Sequence, residues 1–358
     1  MLRIRLAAPG GEFLFIIGAL IGISFFTLKS IELNSQLGLD YLLKRQLIAL
    51  LLGSVLALFL ARVDFNWGRI FYPWTYGLSL LLLGLVLFQG TSIRGAVRWL
   101  SWGSFQFQPT EAVKILLLIF YSFFLPALQR RYRDFFSGII AFFSLLPLLI
   151  LILLQPDLST ALLFFFFWFI LIFLALSDLK FIFSLVLVGL LSLPLLYSQL
   201  SPYQKSRLKS FWQPQNDPLG AGYHALQAQI AVGAGRWAGR SWGQGTQSHL
   251  AFLPDQHTDF IFATFAEEQG FRGAAVLFLL YGLLFWRLFQ RAAKAQTIPG
   301  RLFLQGFTAL LVLQFFINIG MNIGLLPVTG MPLPFFSYGG SALIFNLAGM
   351  GFVFNSSL

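Results

Sequence analysis

The sequence predicts an all-α integral membrane protein that crosses the bilayer about ten times. Of its 358 residues, 58% are hydrophobic and 10% are charged, whereas soluble proteins carry about 25% charged residues. The apolar residues form runs long enough to cross about 30 Å of hydrocarbon. We expect a single membrane domain over residues 1–358.

The predicted spans follow from these runs. The sixth and seventh are separated only by Ser177 to Lys180, so nine spans is the competing count. The predicted spans are residues 13–28, 45–62, 70–88, 111–129, 135–154, 158–177, 180–199, 260–290, 302–324 and 338–356.

The distribution of Lys and Arg predicts the orientation of the chain. An even number of spans places both termini on one side of the membrane. Basic residues, including Arg130, Arg131 and Arg133, are concentrated in the loops that face inward if the N-terminus is cytoplasmic. Cytoplasmic loops carry such an excess. We therefore predict that both termini are inside.

Composition excludes several kinds of chemistry. The chain has no Cys, which removes disulfides, thiolate catalysis and Cys-ligated metals, and its 3 His are too scattered to indicate a zinc site. The net charge of +11 fits a positive cytoplasmic face and an attraction to anionic lipid head groups or pyrophosphates.

Residues 200–259 form one long polar segment between the seventh and eighth spans, which the orientation places outside the cytoplasm. It is rich in Gly, Gln, Trp and Ser, and GYHALQAQIAVGAGRWAG (222–239) predicts a short helix ending in a glycine-rich turn. We expect an ordered lid over a site.

Charged residues inside the spans are scarce. Membrane-embedded charges mark ion and proton pathways, and the span centres show no such pathway. The charges lie instead at the predicted outer ends of the spans, which indicates chemistry at the outer leaflet interface. They are Arg98, Glu111, Lys114, Asp157, Arg207, Asp255 and Asp259.

Each of these residues also has a structural interpretation. Glu111 and Lys114, three residues apart, can form a local ion pair, or the ammonium can face a phosphate. Asp157 follows a proline and can cap a helix. Arg98 beside Trp99 is typical of an interfacial aromatic belt. Asp259 can be a first-turn helix residue, and Asp255 a turn residue.

Further polar groups accompany the eighth to tenth spans. Glu268 and Arg272 have the spacing of an intrahelical pair. Gln314, Asn318 and Asn322 recur every four residues, which predicts hydrogen bonds between helices. The stretch 326–340, LPVTGMPLPFFSYGG, is incompatible with regular helix and predicts a re-entrant wall of the site.

Five sequence blocks resemble one known family. Four residues differ from those usual in that family, namely Ser159, Arg236, Trp237 and Asp255, whereas the HTDF core at 257–260 agrees with it. The blocks are GAVRWLSWGSFQFQPTEAVKI (95–115), QPDLSTAL (155–162), DPLGAGYHALQAQIAVGAG (217–235), LPDQHTDFIFATFAEEQGFRG (253–273) and LPVTGMPLPFFSYGGSAL (326–343). They resemble the SEDS family (shape, elongation, division and sporulation), closest to its RodA branch.

The resemblance implies a peptidoglycan glycosyltransferase that polymerises lipid II in the bacterial cytoplasmic (inner) membrane, with its active site on the extracytoplasmic side. It implies a class B penicillin-binding protein transpeptidase as partner, in contact with membrane lipids and without nucleic acid. Asp259 matches the family's essential acidic residue. Arg98, Glu111, Lys114, Asp157 and Arg207 match positions around the same cavity.

Lipid II requires an acid or base, several cations and an apolar groove, and the sequence offers all three. We expect Asp259 to take the proton from the acceptor hydroxyl, with Asp255 as the alternative base or a metal ligand. Lys114, Arg98 and Arg207, with a divalent cation such as Mg²⁺ or Mn²⁺, would stabilise the departing pyrophosphate. Inversion requires one base and no covalent intermediate.

Two other functions are consistent with the same class of protein. A lipid II flippase would use the same substrate, but it predicts polar groups along a path through the membrane centre, which the sequence lacks. A non-catalytic scaffold of the elongation machinery would recruit or activate a partner, but it leaves Asp259 and the surrounding cations unexplained.

Overall fold

The structure is a computed structural model that describes residues 10–33, 41–93, 96–102, 105–176, 179–200, 202–213, 221–249 and 252–355. Thirteen α-helices lie within these ranges. They are α1 (Gly10–Leu33), α2 (Tyr41–Leu60), α3 (Gly68–Gln89), α4 (Pro109–Gln129), α5 (Asp134–Leu154), α6 (Leu158–Ala175), α7 (Leu179–Gln199), α8 (Pro202–Trp212), α9 (Ala221–Ala234), α10 (Thr246–His249), α11 (Ile261–Ala293), α12 (Ile298–Asn322) and α13 (Gly340–Val353).

The apolar helices confirm a polytopic membrane protein. In the described ranges, eight helices are long and apolar enough to cross a membrane, and shorter apolar stretches lie in α7 and α13. Each predicted span overlaps one of these helices. The count of ten crossings, the alternative of nine and the orientation of the termini stay predictions. The boundary between the sixth and seventh spans at 177–178 lies outside the described residues.

A short sheet between α3 and α4 departs from the all-α prediction. Strands β1 (Thr91–Ile93), β2 (Ala96–Trp102) and β3 (Phe105–Phe107) are antiparallel, with Thr91 opposite Trp99 and Leu100 opposite Phe107. Aromatic residues, which favour strands, are frequent in this stretch. The prediction was therefore wrong for this connection, and the sheet carries Arg98.

The centre of the bundle is formed by α4 and α12, which are buried along most of their length. On one side, α2 and α13 pack closely because glycines remove side chains from their contact. A Cβ on Gly53 would lie 2.8 Å from Leu347 Cδ1, and one on Gly351 would lie 2.5 Å from the carbonyl oxygen of Ala57. This close pair forms one wall of the candidate site.

The helix α11 is broken at Gly270, which has φ 66° and ψ −164°. The loop that follows α9 enters the break: Arg240 N donates to the Glu267 carbonyl at 3.0 Å, and Phe271 N donates to the Arg236 carbonyl at 2.8 Å. Backbone groups freed by a break at membrane depth need such protein partners.

The break also changes the environment of Glu268 and Arg272 on α11. Glu268 accepts hydrogen bonds from Ser30 of α1 and from the backbone N–H of Gly243, and the Arg272 guanidinium lies over the Trp237 ring, 5.9 Å from its centroid. The predicted Glu268–Arg272 pair assumed continuous helix and was wrong, because Gly270 lies between the two residues.

Candidate active site

Asp259 lies in the turn that leads into α11. Its main-chain carbonyl accepts hydrogen bonds from the side-chain amides of Asn318 and Asn322, both at 3.1 Å. Gly330, whose φ is 76°, lies beside the Asp259 carboxylate: a Cβ built on it would be 3.4 Å from Oδ2, an ordinary van der Waals contact.

The interhelical hydrogen bond predicted for Asn322 is confirmed, since its amide oxygen accepts from Ala263 N of α11. Asn318 instead bonds to carbonyls outside the helices, and Gln314, for which a bond was also predicted, has no partner within the described residues. The two asparagines hold the backbone of the predicted base.

Asp255 is a turn residue, as its structural interpretation predicted. Its φ is 51°, and its carbonyl accepts hydrogen bonds from the N–H groups of Thr258 at 3.0 Å and Phe260 at 3.3 Å. Aspartate is among the few non-glycine residues that adopt this left-handed conformation readily. The turn brings the Asp255 and Asp259 side chains to the same cavity.

That cavity has a volume of about 580 Å³. Four of the predicted site residues line it, namely Asp255, Asp259, Arg98 and Arg207. The apolar part of the cavity lining comes from α2 and α13, namely from Ile48, Leu52 and Ile344. The cavity thus combines carboxylates, guanidinium groups and an apolar wall, which suits an amphipathic substrate.

Arg98 on β2 forms an ion pair with Asp157, with 3.1 Å between Nε and Oδ2. The Asp157 side chain is fully buried and also caps α6, accepting hydrogen bonds from the backbone N–H of Thr160 at 3.0 Å and from its hydroxyl at 2.7 Å. The predicted cap is confirmed. Asp157 therefore acts on the cavity through Arg98, and a carboxylate so placed fixes the direction of the guanidinium.

Glu111 and Lys114 form a buried ion pair in the first turns of α4, with 2.6 Å between their charged atoms. Both residues line a void of about 10 Å³ shared with Arg98 and Gly330, which has room for about one water molecule. The local pair is confirmed. The predicted contact of Lys114 with phosphate stays a prediction, since its ammonium pairs with Glu111 and Lys114 lines the small void, not the main cavity.

Arg207 belongs to α8, in the long segment that the sequence predicts as a lid. Its guanidinium lines the cavity and donates a hydrogen bond to the Val328 carbonyl at 3.3 Å. This contact joins the segment to the Pro- and Gly-rich connection between α12 and α13. The described parts of 200–259 include the helices α8, α9 and α10, whereas 201, 214–220 and 250–251 lie outside the described residues.

The connection between α12 and α13 is a wall of the site, as predicted, and it is fixed to its neighbours by specific bonds. The Ser337 hydroxyl donates to the Thr258 carbonyl at 2.7 Å, and Tyr338 N donates to the His257 carbonyl at 2.9 Å. The Gln46 amide of α2 donates to the Ser337 carbonyl at 3.3 Å and accepts from Gly339 N at 3.2 Å. The segment thereby links α2 to the turn that carries Asp259.

Sequence reasoning missed Arg45, Gln46, Ser337 and Tyr338. Arg45 and Tyr338 line the cavity, but Arg45 has the sequence features of an ordinary basic residue at a helix end. Tyr338 lies just before α13, next to Arg45.

The cavity holds two carboxylates that a predicted divalent cation could use, those of Asp255 and Asp259. Among the residues that the structure describes, no group of three or more His, Asp or Glu side chains is placed to hold a metal ion. Asp255, His257 and Asp259 all line the cavity but do not form such a group. The divalent cation therefore stays a prediction, because Mg²⁺ held between substrate phosphates needs only one or two carboxylates from the protein.

The fold and the cavity define the class: a polytopic membrane protein with a charged site bordered by an apolar wall. Residues 11–358 match the sequence model of the FtsW, RodA and SpoVE proteins, described as "Cell cycle protein". The chain belongs to this family.

Two relatives and two structures show the extent of the similarity. The chain is 37% identical to peptidoglycan glycosyltransferase MrdB of Escherichia coli K12 over 93% of this chain and 90% of that protein. It is 34% identical to stage V sporulation protein E of Bacillus subtilis over 88% and 86% of the two chains.

Among solved structures, a chain from a peptidoglycan synthase complex that coordinates polymerisation and crosslinking superposes with a TM-score of 0.81 and 36% identity, over 98% of this chain and 97% of that one. The rod shape determining protein RodA of Thermus thermophilus superposes with a TM-score of 0.70 and 35% identity, over 98% and 96%.

Proposed function

We propose that this protein is an inverting peptidoglycan glycosyltransferase that polymerises lipid II at the outer leaflet of the bacterial cytoplasmic membrane for cell elongation and shape. The observation that carries the proposal is the composition of the cavity. Asp259 and Asp255, Arg98 and Arg207, and an apolar wall all border a single space of about 580 Å³.

Each part of lipid II has a counterpart in that space. Its sugars and hydroxyl groups need a base, its pyrophosphate needs cations, and its polyprenyl chain needs an apolar surface that is continuous with the membrane. Ile48 and Leu52 of α2 line the cavity and are 57% and 51% exposed, so the apolar wall also faces the surroundings of the bundle. Relatives named as peptidoglycan glycosyltransferases support the same substrate class.

Asp259 is the base in this proposal. Its carboxylate removes the proton from the 4-hydroxyl of the acceptor sugar while that oxygen bonds to the anomeric carbon of the donor. The bond from that carbon to the pyrophosphate breaks, and the electron pair leaves with the polyprenyl pyrophosphate. A single displacement converts an α-linked donor into a β-linked product. Hydrogen bonds from Asn318 and Asn322 hold the Asp259 backbone for this role.

Arg98 and Arg207 stabilise the departing pyrophosphate. Both guanidinium groups line the cavity, on different elements of the fold. Preoriented cations lower the barrier because they need no rearrangement as charge develops. Asp157 holds Arg98 in place, and the Val328 carbonyl does so for Arg207.

A class B penicillin-binding protein is the proposed partner. Similarity to a chain of a peptidoglycan synthase complex that coordinates polymerisation with crosslinking supports this proposal. Such a partner would supply the transpeptidase that joins the new strands.

The test measures incorporation of labelled lipid II into polymer by the purified protein, alone and with its transpeptidase. Asp259→Asn is expected to abolish polymer. Asp255→Asn is measured beside it, because Asp255 is the alternative base. Glu12→Gln is the control, because Glu12 and its partner Arg287 are 52% and 39% exposed and exposed pairs contribute little. Full polymerisation by Asp259→Asn would exclude Asp259 as the base.

The same measurement tests the other functions. A folded wild-type protein that makes no polymer in either condition, but moves lipid II across vesicle membranes, would be a flippase. Full polymerisation by the transpeptidase without this protein would indicate a scaffold.

A further inference from the structure

Arg45 is a cation of the cavity that the proposed mechanism does not use. It lies in the first turns of α2, is partly buried, and its guanidinium is 4.4 Å from the centroid of the Tyr41 ring. Within the described ranges it forms no ion pair, whereas Arg98 is paired with Asp157. Arg45 therefore brings to the cavity a positive charge that is not held in an ion pair within the described residues.

The α2 face below Arg45 is an apolar stripe. Ile48, Ala49 and Leu52 follow Arg45 at the spacing of one helix face, and all four residues line the cavity. Ile344 of α13 lines the same wall. A single cation above a row of apolar side chains is complementary to a phosphate group attached to a hydrocarbon chain.

Arg45 belongs to a different element of the fold from the residues assigned to the reacting centre. Tyr338 lies beside Arg45, and its ring contacts the His257 ring with 5.5 Å between centroids. Arg98 comes from β2 and Arg207 from α8, whereas Arg45 comes from α2. The cavity thus presents guanidinium groups from different walls.

The proposed reaction needs more than one anion site. In the first condensation both substrates are lipid-linked, so two pyrophosphates and two prenyl chains must be bound together. The donor pyrophosphate is attached to the reacting carbon and belongs near Asp259. The acceptor pyrophosphate is separated from the reacting 4-hydroxyl by the disaccharide, so its cation belongs on another wall.

We infer that Arg45 and the stripe of Ile48, Ala49 and Leu52 bind the pyrophosphate and the first part of the prenyl chain of the acceptor substrate. This assignment rests on the proposed function. It makes Arg45 a binding residue that affects the affinity for the acceptor, and it leaves proton removal to Asp259.

Binding of geranylgeranyl pyrophosphate to the full-length protein in detergent tests this site without requiring activity. We expect wild type to bind two molecules per chain and Arg45→Ala to bind one at the same concentration, with at least a tenfold loss of affinity at the second site. Arg45→Lys is expected to recover part of the loss. Geranylgeraniol, which lacks the pyrophosphate, should not distinguish wild type from Arg45→Ala.

Lys44→Ala is the matched control, because Lys44 is the adjacent cation on α2, is exposed and is not part of the cavity lining. It should bind two molecules. The inference is overturned if Arg45→Ala also binds two, or if Lys44→Ala loses as much affinity as Arg45→Ala, which would indicate a general surface charge effect. Monodispersity and melting temperature establish that the variants fold.

Lipid II polymerisation then separates the two proposals. We expect Arg45→Ala to need at least tenfold more lipid II for half-maximal rate. A wild-type protein that polymerises lipid II but binds one pyrophosphate would disprove the acceptor site alone. If wild type binds two molecules and Arg45→Ala binds one, but wild type makes no polymer, only the glycosyltransferase function is disproved.

Discussion

The side-chain amide of Asn322 donates a hydrogen bond to the main-chain carbonyl of Asp259 at 3.1 Å, while its oxygen accepts one from the N–H of Ala263 at 3.1 Å. Asn322 is fully buried on α12. One side chain thus fixes the backbone on both sides of the start of α11. This contact places the predicted base relative to the most buried part of the bundle.

Replacing Asn322 by Leu should lower both stability and turnover. The change leaves a buried N–H unpaired, which costs about 1–3 kcal/mol, and it loosens the Asp259 turn. We expect at least a tenfold lower maximal rate with little change in the lipid II concentration for half-maximal rate, measured by polymerisation together with thermal unfolding.

Gln314→Leu is the matched control for Asn322→Leu. Gln314 is equally buried on α12, but its amide has no hydrogen-bond partner among the described residues. Its replacement should leave stability unchanged or raise it, because an unsatisfied buried amide is removed. Equal losses in the two variants would mean that any buried change on α12 has the same effect.

The ion pair between Arg98 and Asp157 should show strong coupling in a double-mutant cycle. Arg98→Ala leaves the buried Asp157 carboxylate without its cation, which costs on the order of 3 kcal/mol. Asp157→Asn in the Arg98→Ala background should recover part of that loss while keeping the cap on Thr160. Thermal unfolding of wild type, both single variants and the double variant checks this, and additive effects would contradict it.

Variants of the Glu111–Lys114 ion pair distinguish its contribution to folding from its contribution to activity. Each single change, Glu111→Gln or Lys114→Met, leaves a buried charge unpaired and should destabilise the protein. The double variant should recover most of the melting temperature, because both charges are gone. We expect its polymerisation rate to stay at least tenfold reduced, since Lys114 shares a void with Arg98. A stable double variant with full activity would show that the pair is structural only.

Ser337 should affect catalysis by positioning the Asp259 turn. Its hydroxyl accepts from Leu333 N at 2.8 Å and donates to the Thr258 carbonyl at 2.7 Å, so Ser337→Ala removes both bonds. We expect a lower maximal rate and a lower melting temperature. The control is Ser184→Ala on α7, because the Ser184 hydroxyl bonds only one turn back, to the Lys180 carbonyl. If Ser337→Ala changed neither the maximal rate nor the melting temperature, Ser337 would have no positioning role.

Local sequence signals predicted the parts of the site that depend on neighbours in the chain. The apolar runs gave the spans, the proline before Asp157 gave the helix cap, and the spacing of Glu111 and Lys114 gave their ion pair. These features are set within one turn of helix, where sequence spacing fixes geometry.

The parts that sequence did not predict depend on contacts between distant segments. Arg98 on β2 meets Asp157 at the start of α6, 59 residues further along the chain, and Gln46 meets Ser337 because α2 packs against α13. Arg45 has no distinguishing local signal. The break in α11 was hidden because a glycine inside an apolar helix has several structural meanings, and only the loop at 236–240 shows which one applies.

The break in α11 yields a matched pair of glycine substitutions. Gly270 has φ 66°, and a Cβ there would lie 2.3 Å from Gly239 N, whereas a Cβ on Gly282 of the same helix has open space within 4 Å. Gly270→Ala should lower the melting temperature sharply, because the backbone conformation and the inserted loop both exclude a side chain. Gly282→Ala should leave stability unchanged or raise it by up to about 1 kcal/mol, since alanine favours helix.

Thermal unfolding of the two variants in the same detergent checks this prediction, and limited proteolysis of the loop at 236–243 provides a second measurement. Gly270→Ala should expose that loop to cleavage because its backbone bonds to Glu267 and Phe271 are lost. If Gly270→Ala melted like Gly282→Ala and kept the loop protected, α11 would run as a continuous helix through Gly270. The Glu268–Arg272 pair predicted from the sequence would then be restored.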